Sequence, residues 1–178
     1  MLLPNTNWFW YTHENELRLD LGHTLTFVVP FALKNLVNLP TDKQLFSLED
    51  TEHYVALAES LDNSGLVLTE GQLVQVLLNA TAALKFHKPV CMKSWLYKAQ
   101  STSGVHCQLA MLEAADNDNG ELGHVIVIEQ QGTTATCMLI SEQFVVSSSK
   151  ILSQFEIIKV MNDRLIPYLA DIPMYKRA

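Results

Sequence analysis

The most regular hydrophobic pattern in the chain follows Thr69. Leu73, Leu77 and Leu84 recur at helical intervals, and apolar neighbours widen the stripe beyond a single face. Thr69 has the residue type and position of a helix N-cap, and Pro89 disfavours helical backbone at the residue before it. The pattern therefore predicts a helix from Thr69 to just before Pro89 that is buried on several sides.

The chain before this helix alternates between apolar and polar positions, which is typical of strands with one buried face. Ser47 and Asp50 have capping-box spacing, and a helical pattern follows until Gly65. The pattern predicts antiparallel strands covered by helices, an α+β arrangement. The predicted strands are residues 8–11, 17–21 and 25–29, and residues 31–36 form a short helix.

Beyond Pro89 the hydrophobic period changes toward two, and short segments alternate with turns. Such spacing predicts a β-rich, barrel-like region. A final helical pattern, with a capping box at Ser153 and Glu156 and a stop at Pro167, predicts a closing helix. The predicted strands are residues 94–99, 105–112, 122–130, 135–140 and 143–147.

A length of 178 residues is sufficient for one large or two small domains with real hydrophobic cores. The change of period at Pro89 places the boundary there. We expect an N-terminal α/β domain over residues 1–89 and a C-terminal barrel-like domain over residues 90–178, with a loose tail.

Composition disfavours several classes of protein. The net charge of −7 disfavours nucleic-acid binding, which depends on lysine and arginine contacts to phosphates. The N-terminus lacks the basic and long apolar regions of a signal peptide, and no segment is long and apolar enough to insert into a membrane. Three widely spaced cysteines favour reduced thiols in a cytoplasmic protein over a disulfide framework.

One stretch departs from the acidic average. Lys85, Lys88, Lys93 and Lys98 follow one another, and no Asp or Glu lies between positions 70 and 113. Two interpretations have similar weight: an ordinary solvated surface, or a binding surface for an acidic peptide or protein. Trp95 lies within this stretch, and its side chain could belong to the hydrophobic core or serve as an anchor in an interface. If residues 94–99 form a strand, Trp95 lies on the same face as Tyr97.

No arrangement of nucleophile, base and orienting group is present in the sequence, and the Cys and His residues lack the close pairing typical of zinc sites. We therefore expect a protein that is not an enzyme and that uses no metal or cofactor.

Five strings in fixed order carry a family resemblance. They are Asn-Trp-Phe-Trp-Tyr at 7–11, Leu-Asp-Leu at 19–21, Leu-Leu-Asn-Ala at 77–80, Lys-Pro at 88–89 with Lys-Ser-Trp at 93–95, and Met-Asn-Asp-Arg-Leu at 161–165 with Pro167. Together they resemble the ZapC family of cell division proteins over nearly the whole chain. The resemblance implies a non-enzymatic cytoplasmic protein at the mid-cell ring that binds FtsZ, promotes lateral bundling of its filaments and stabilises the Z ring.

The resemblance also implies partner-binding residues. Lys88, Lys93 and Arg164 correspond to a basic surface, and Leu19 and Leu57 to an apolar pocket in the N-terminal region. We expect the three basic side chains to form a single patch that attracts an acidic filament. Self-association, as one route to bundling, stays open. The alternative is a domain that binds a small molecule or peptide in a cavity of the β region.

Overall fold

The computed structural model describes residues 1–101, 107–116 and 120–168. The first two residues of the strand predicted at 105–112 and the tail after residue 168 lie outside these ranges. The described residues form two helices and antiparallel strands in the order of an α+β fold, which confirms the predicted class.

A four-stranded antiparallel sheet forms the N-terminal part, in the order β3-β2-β1-β4. Trp10 pairs with Leu19 across β1 and β2, and the side chains of both are fully buried. Alternation thus gives the sheet one buried face, as predicted. Its strands are β1 (Phe9–His13), β2 (Glu16–Asp20), β3 (Thr26–Val28) and β4 (Gln44–Leu45).

Two helices follow, α1 (Leu48–Ser64) and α2 (Glu70–Phe86). Both predicted N-caps are present: Ser47 and Thr69 each accept a hydrogen bond from the third helical N–H, and both capping boxes are complete. Gly65 ends α1 with a φ of 74°, a left-handed conformation that costs glycine little. Residues 31–36 contain a 3-10 turn at Leu33–Asn35.

The C-terminal part contains a five-stranded antiparallel sheet, in the order β10-β7-β6-β5-β11, and a separate hairpin. In the part of the chain that the structure describes, β10 and β11 remain edge strands, so the barrel-like region is not closed. The sheet strands are β5 (Leu109–Glu113), β6 (Leu122–Gln131), β7 (Thr134–Leu139), β10 (Ile157–Met161) and β11 (Ile166–Pro167); the hairpin is β8 (Gln143–Ser147) with β9 (Lys150–Ser153).

The larger hydrophobic core crosses the boundary between the two halves. It contains the buried faces of β1, β2, α1 and α2, and also Ile126, Ile128 and Met138 from β6 and β7. Helix α2 is apolar nearly all round because it lies between these elements. A second core, which includes Tyr97 and Phe144, lies within the C-terminal half.

Two sequence predictions of secondary structure are wrong. The closing helix is instead strand β10, with Ile158 and Val160 buried against β7, and Phe155 has a φ of 67° that an α-helix excludes. The strand predicted at 94–99 is a 3-10 turn at Ser94–Leu96. That turn buries Tyr97 but leaves Trp95 exposed, so the two do not share a face.

Candidate functional site

An open groove lies where the N-terminal half meets the loop before β10. One wall is formed by Phe31, Ala32 and residues 87–90, and the other by residues 153–157. The groove has a volume of about 590 Å³ and contains both apolar rings and charged rims. Two smaller hollows share part of its lining and extend it along β10.

Four lysines line the two smaller hollows. Lys88 and Lys159 contribute to one of them, and Lys93, Lys150 and Lys159 to the other. Backbone pairing brings Lys93 and Lys159 together, because Met92 forms a parallel bridge with Lys159 and the Lys93 N–H donates to the Lys159 carbonyl oxygen at 3.1 Å. We call this region the lysine groove, defined by Lys88, Lys93, Lys150 and Lys159.

Among the described residues, the lining of the lysine groove carries more positive than negative charge. Its lining holds four lysines against two glutamates, Glu129 and Glu156, which accept hydrogen bonds from Gln131 Nε2 and from the Ser153 N–H. Within the described residues, no carboxylate lies within 4 Å of any of the four ammonium groups. Lys88 Nζ instead donates to the Lys34 carbonyl oxygen at 2.6 Å. The groove is therefore a cationic surface on an acidic protein.

The other two lysines of the acid-free stretch have internal partners. Lys85 Nζ lies 2.9 Å from both carboxylate oxygens of Asp50, in a pair that is mostly buried between α1 and α2. Lys98 Nζ donates to Glu113 Oε1 at 2.7 Å. Only part of the stretch predicted as a basic surface is available to a partner.

Arg164 does not line the lysine groove. It lies in a 3-10 turn at Asn162–Arg164, beyond the end of β10, and its side chain is 19% exposed. Its Nε lies 3.5 Å from Asp163 Oδ1 and has no hydrogen-bond partner among the described residues. A single patch of Arg164 with Lys88 and Lys93 stays a prediction.

Leu19 and Leu57 are core residues in this conformation. Both residues are at most 1% exposed, Leu19 on the buried face of β2 in the N-terminal sheet and Leu57 on the inner side of α1. A hollow of about 410 Å³ does exist on this sheet, but on its other face, where Phe9, Asp20 and Lys43 line it. Direct contact of the two leucines with a partner is untested, and it would require the core to open.

Reasoning from sequence missed Lys150 and Lys159. Lys150 lies just before the predicted closing helix and Lys159 lies within it, and a helical pattern gives no reason to group either with Lys93. The signal that could have identified Lys159 is local: it alternates with buried Ile158 and Val160, so a strand places it outward.

No described helix has the length and hydrophobicity needed to cross a membrane.

Comparison with known protein families gives two matches along the chain. The family model described as cell-division protein ZapC, N-terminal, matches residues 1–88, and the one described as ZapC, C-terminal, matches residues 89–171. The two matches meet within the groove wall formed by residues 87–90.

Individual relatives agree with the family matches. The chain is 81% identical over 178 residues, all of both chains, to cell division protein ZapC of Pseudoalteromonas atlantica. It is 37% identical over 169 residues to the protein of the same name from Aliivibrio salmonicida, with 93% of this chain and 92% of the relative covered. The ZapC of Photobacterium profundum is 32% identical over 183 residues, with 96% and 95% covered.

Proposed function

Because the chain belongs to the ZapC family of cell division proteins, we propose that it binds FtsZ filaments, bundles them laterally and so stabilises the Z ring. In this proposal the protein acts in the cytoplasm at mid-cell as a non-enzymatic adaptor. Its contribution is a surface rather than a reaction.

The observation that carries the proposal is the lysine groove. Four lysines without a carboxylate within 4 Å among the described residues leave a local excess of positive charge on a chain of net charge −7. Such a surface attracts an acidic polymer and orients the encounter. The apolar rings of Phe31 and Phe155 beside Lys88 supply contact area whose contribution salt does not screen.

Lateral bundling requires two filament contacts for each bundling unit. We place the first contact at the lysine groove, through Lys88 and Lys93, with Lys150 and Lys159 added from the structure. Arg164 is a candidate for the second contact, since it lies outside the groove lining. A dimer that presents the groove twice is the other arrangement.

The alternative is a domain that binds a small molecule or peptide. Small ligands are typically enclosed, with most of their surface buried. The groove lined by Lys88 and Phe155 is instead an open one between the two halves, flanked by charged side chains. That geometry favours a macromolecular partner over a small molecule, and we therefore rank the filament first.

Co-sedimentation tests the proposal. FtsZ is polymerised with GTP, the protein is added, and low-speed pelleting and light scattering are measured, with GDP as the control without filaments. We expect the protein to enter the pellet with the filaments and to increase both signals. Filaments that pellet equally with and without the protein, while none of it enters the pellet, would refute the proposed function.

A further inference from the structure

Trp95 is exposed in a way that the other tryptophans are not. Its residue is 70% exposed, whereas Trp8 and Trp10 are fully buried in the core. Among the described residues it is the only aromatic residue with large exposure. Covering an exposed indole with a partner removes apolar surface from water and so favours binding. Tryptophan is also enriched among the residues that dominate interface affinity.

The backbone beneath Trp95 is held firmly. Ser94, which is buried, accepts a hydrogen bond on Oγ from the Met161 N–H at 2.8 Å. The Tyr97 N–H donates to the Ser94 carbonyl at 3.1 Å, and the Tyr97 ring stacks on Phe144 with 6.4 Å between centroids. Because the turn is fixed on both sides of Trp95, little backbone ordering is needed when a partner binds.

The surroundings of Trp95 indicate what kind of partner fits. Lys93 precedes it by two residues and is exposed, and Met92, paired with Lys159, is 41% exposed. The turn therefore exposes an indole and a thioether within two residues of Lys93, which lines the lysine groove. This combination fits an acidic protein surface that has an apolar depression at its centre.

We propose that Trp95 is an anchor residue that inserts into an apolar depression on the acidic face of the filament, while the lysine groove engages the surrounding carboxylates. This inference rests on the proposed function and adds a residue that contributes affinity independent of charge. In this proposal the site has two parts: the lysine groove, whose electrostatic attraction is screened by salt, and Trp95, whose apolar contact is not.

The test compares three variants for binding to FtsZ filaments by quantitative co-sedimentation. Trp95→Ala should weaken binding about 30-fold, whereas Trp95→Phe should retain binding to within about fivefold. Leu48→Ala is the matched control, because Leu48 is 73% exposed at the start of α1, away from the groove lining. It should bind as the unchanged protein does, to within about twofold.

The salt dependence of binding distinguishes the apolar contribution of Trp95 from the electrostatic contribution of the lysine groove. Between about 50 mM and about 300 mM salt, the deficit of Trp95→Ala should stay constant, while that of Lys93→Glu should shrink. If Trp95→Ala binds to within about twofold of the unchanged protein while Lys93→Glu is weakened, the anchor is refuted and the proposed function stands. If the unchanged protein does not bind filaments, the proposed function fails and the anchor with it.

Labelling this protein with 5-hydroxytryptophan gives a second readout that can be excited apart from tryptophan in the filament. Since Trp8 and Trp10 are fully buried, acrylamide quenching should report mainly on position 95. Filaments should protect that position from quenching. Unchanged quenching in the pelleting complex would contradict the inference.

Discussion

Lys85 and Lys88 are three residues apart in the sequence, but the partners of their ammonium groups differ. Lys85 is held against Asp50, which also accepts hydrogen bonds from Trp10 Nε1 at 3.2 Å and from the Ser47 N–H at 2.9 Å. Lys88 lies at the groove, where its ammonium group meets only a backbone carbonyl among the described residues. The first lysine serves the fold, whereas the second is available to a partner.

The comparison extends from these two residues to their regions. The buried Asp50 carboxylate is satisfied by Lys85, Trp10 and the Ser47 N–H, which fixes the packing of α1 on α2 and β1. In the lysine groove, four ammonium groups have no carboxylate within 4 Å among the described residues, and they outnumber the two glutamates of the lining, so the groove favours an acidic ligand. Local charge therefore does not indicate binding by itself, because the distance to the nearest carboxylate decides the role.

The largest effect should come from removing Lys85. Lys85→Met leaves the Asp50 carboxylate buried without its counter-charge and should lower the free energy of unfolding by about 3 kcal/mol. The matched variant Lys88→Met should change it by no more than about 0.5 kcal/mol. Urea denaturation followed by circular dichroism measures both. Equal losses for the two variants would contradict the distinction between these regions.

Core truncation should have an effect of similar or slightly smaller size. Leu57→Ala removes a fully buried side chain and should lower the free energy of unfolding by about 3 kcal/mol, while Leu48→Ala should have little effect. Binding per folded molecule should be unchanged in both. If Leu57→Ala is stable but binds filaments poorly, Leu57 contacts the partner directly and our description of it as a core residue is wrong.

Charge reversal inside the groove should affect binding but not folding. Lys159→Glu should weaken filament binding about tenfold, equivalent to about 1.4 kcal/mol, because it places a carboxylate where the partner's acidic groups approach. Lys43→Glu makes the same change in net charge on the N-terminal sheet, where Lys43 lies 4.4 Å from the Phe9 ring centroid. It should bind nearly as the unchanged protein does; an equal loss would indicate that only net charge matters.

The smallest effect concerns acid sensitivity near Asp50. Burial lowers the pKa of His53 below 6.5, and the nearby Asp50 carboxylate partly opposes that shift. Because the unfolded chain binds a proton at His53 more readily, stability should be full above pH 6.5 and should fall as the pH drops toward the folded pKa. His53→Gln should flatten this part of the stability profile. An identical profile in the variant would show that His53 does not contribute.

The fold could be predicted from sequence where the local signals were redundant. Ser47, Gly65 and Thr69 mark helix ends through side chains and backbone conformations that few other residues supply, and the structure confirms all three. The closing helix was wrong because Phe155 and Ile158 match a helical period by coincidence. The β-branched residues Ile157, Ile158 and Val160 prefer a strand, and this strand pairs with β7.

The site was less accessible to sequence reasoning because it depends on contacts between distant segments. Lys93 and Lys159 are 66 positions apart, and backbone pairing of the two segments, through the Met92 bridge and the Lys93 N–H, brings them together. Lys85 and Lys98 belong to the same acid-free stretch as Lys88, but their carboxylate partners come from α1 and β5. Spacing along the chain cannot show which cation has a partner in the fold.

The most direct test of the account is the double variant Lys88→Glu/Lys93→Glu, sedimented with FtsZ filaments at low and high salt. We expect a native circular dichroism spectrum, a loss of co-sedimentation at about 50 mM salt, and binding of the unchanged protein that falls as salt rises. A folded double variant that sediments with filaments as well as the unchanged protein at low salt would contradict the role of the lysine groove.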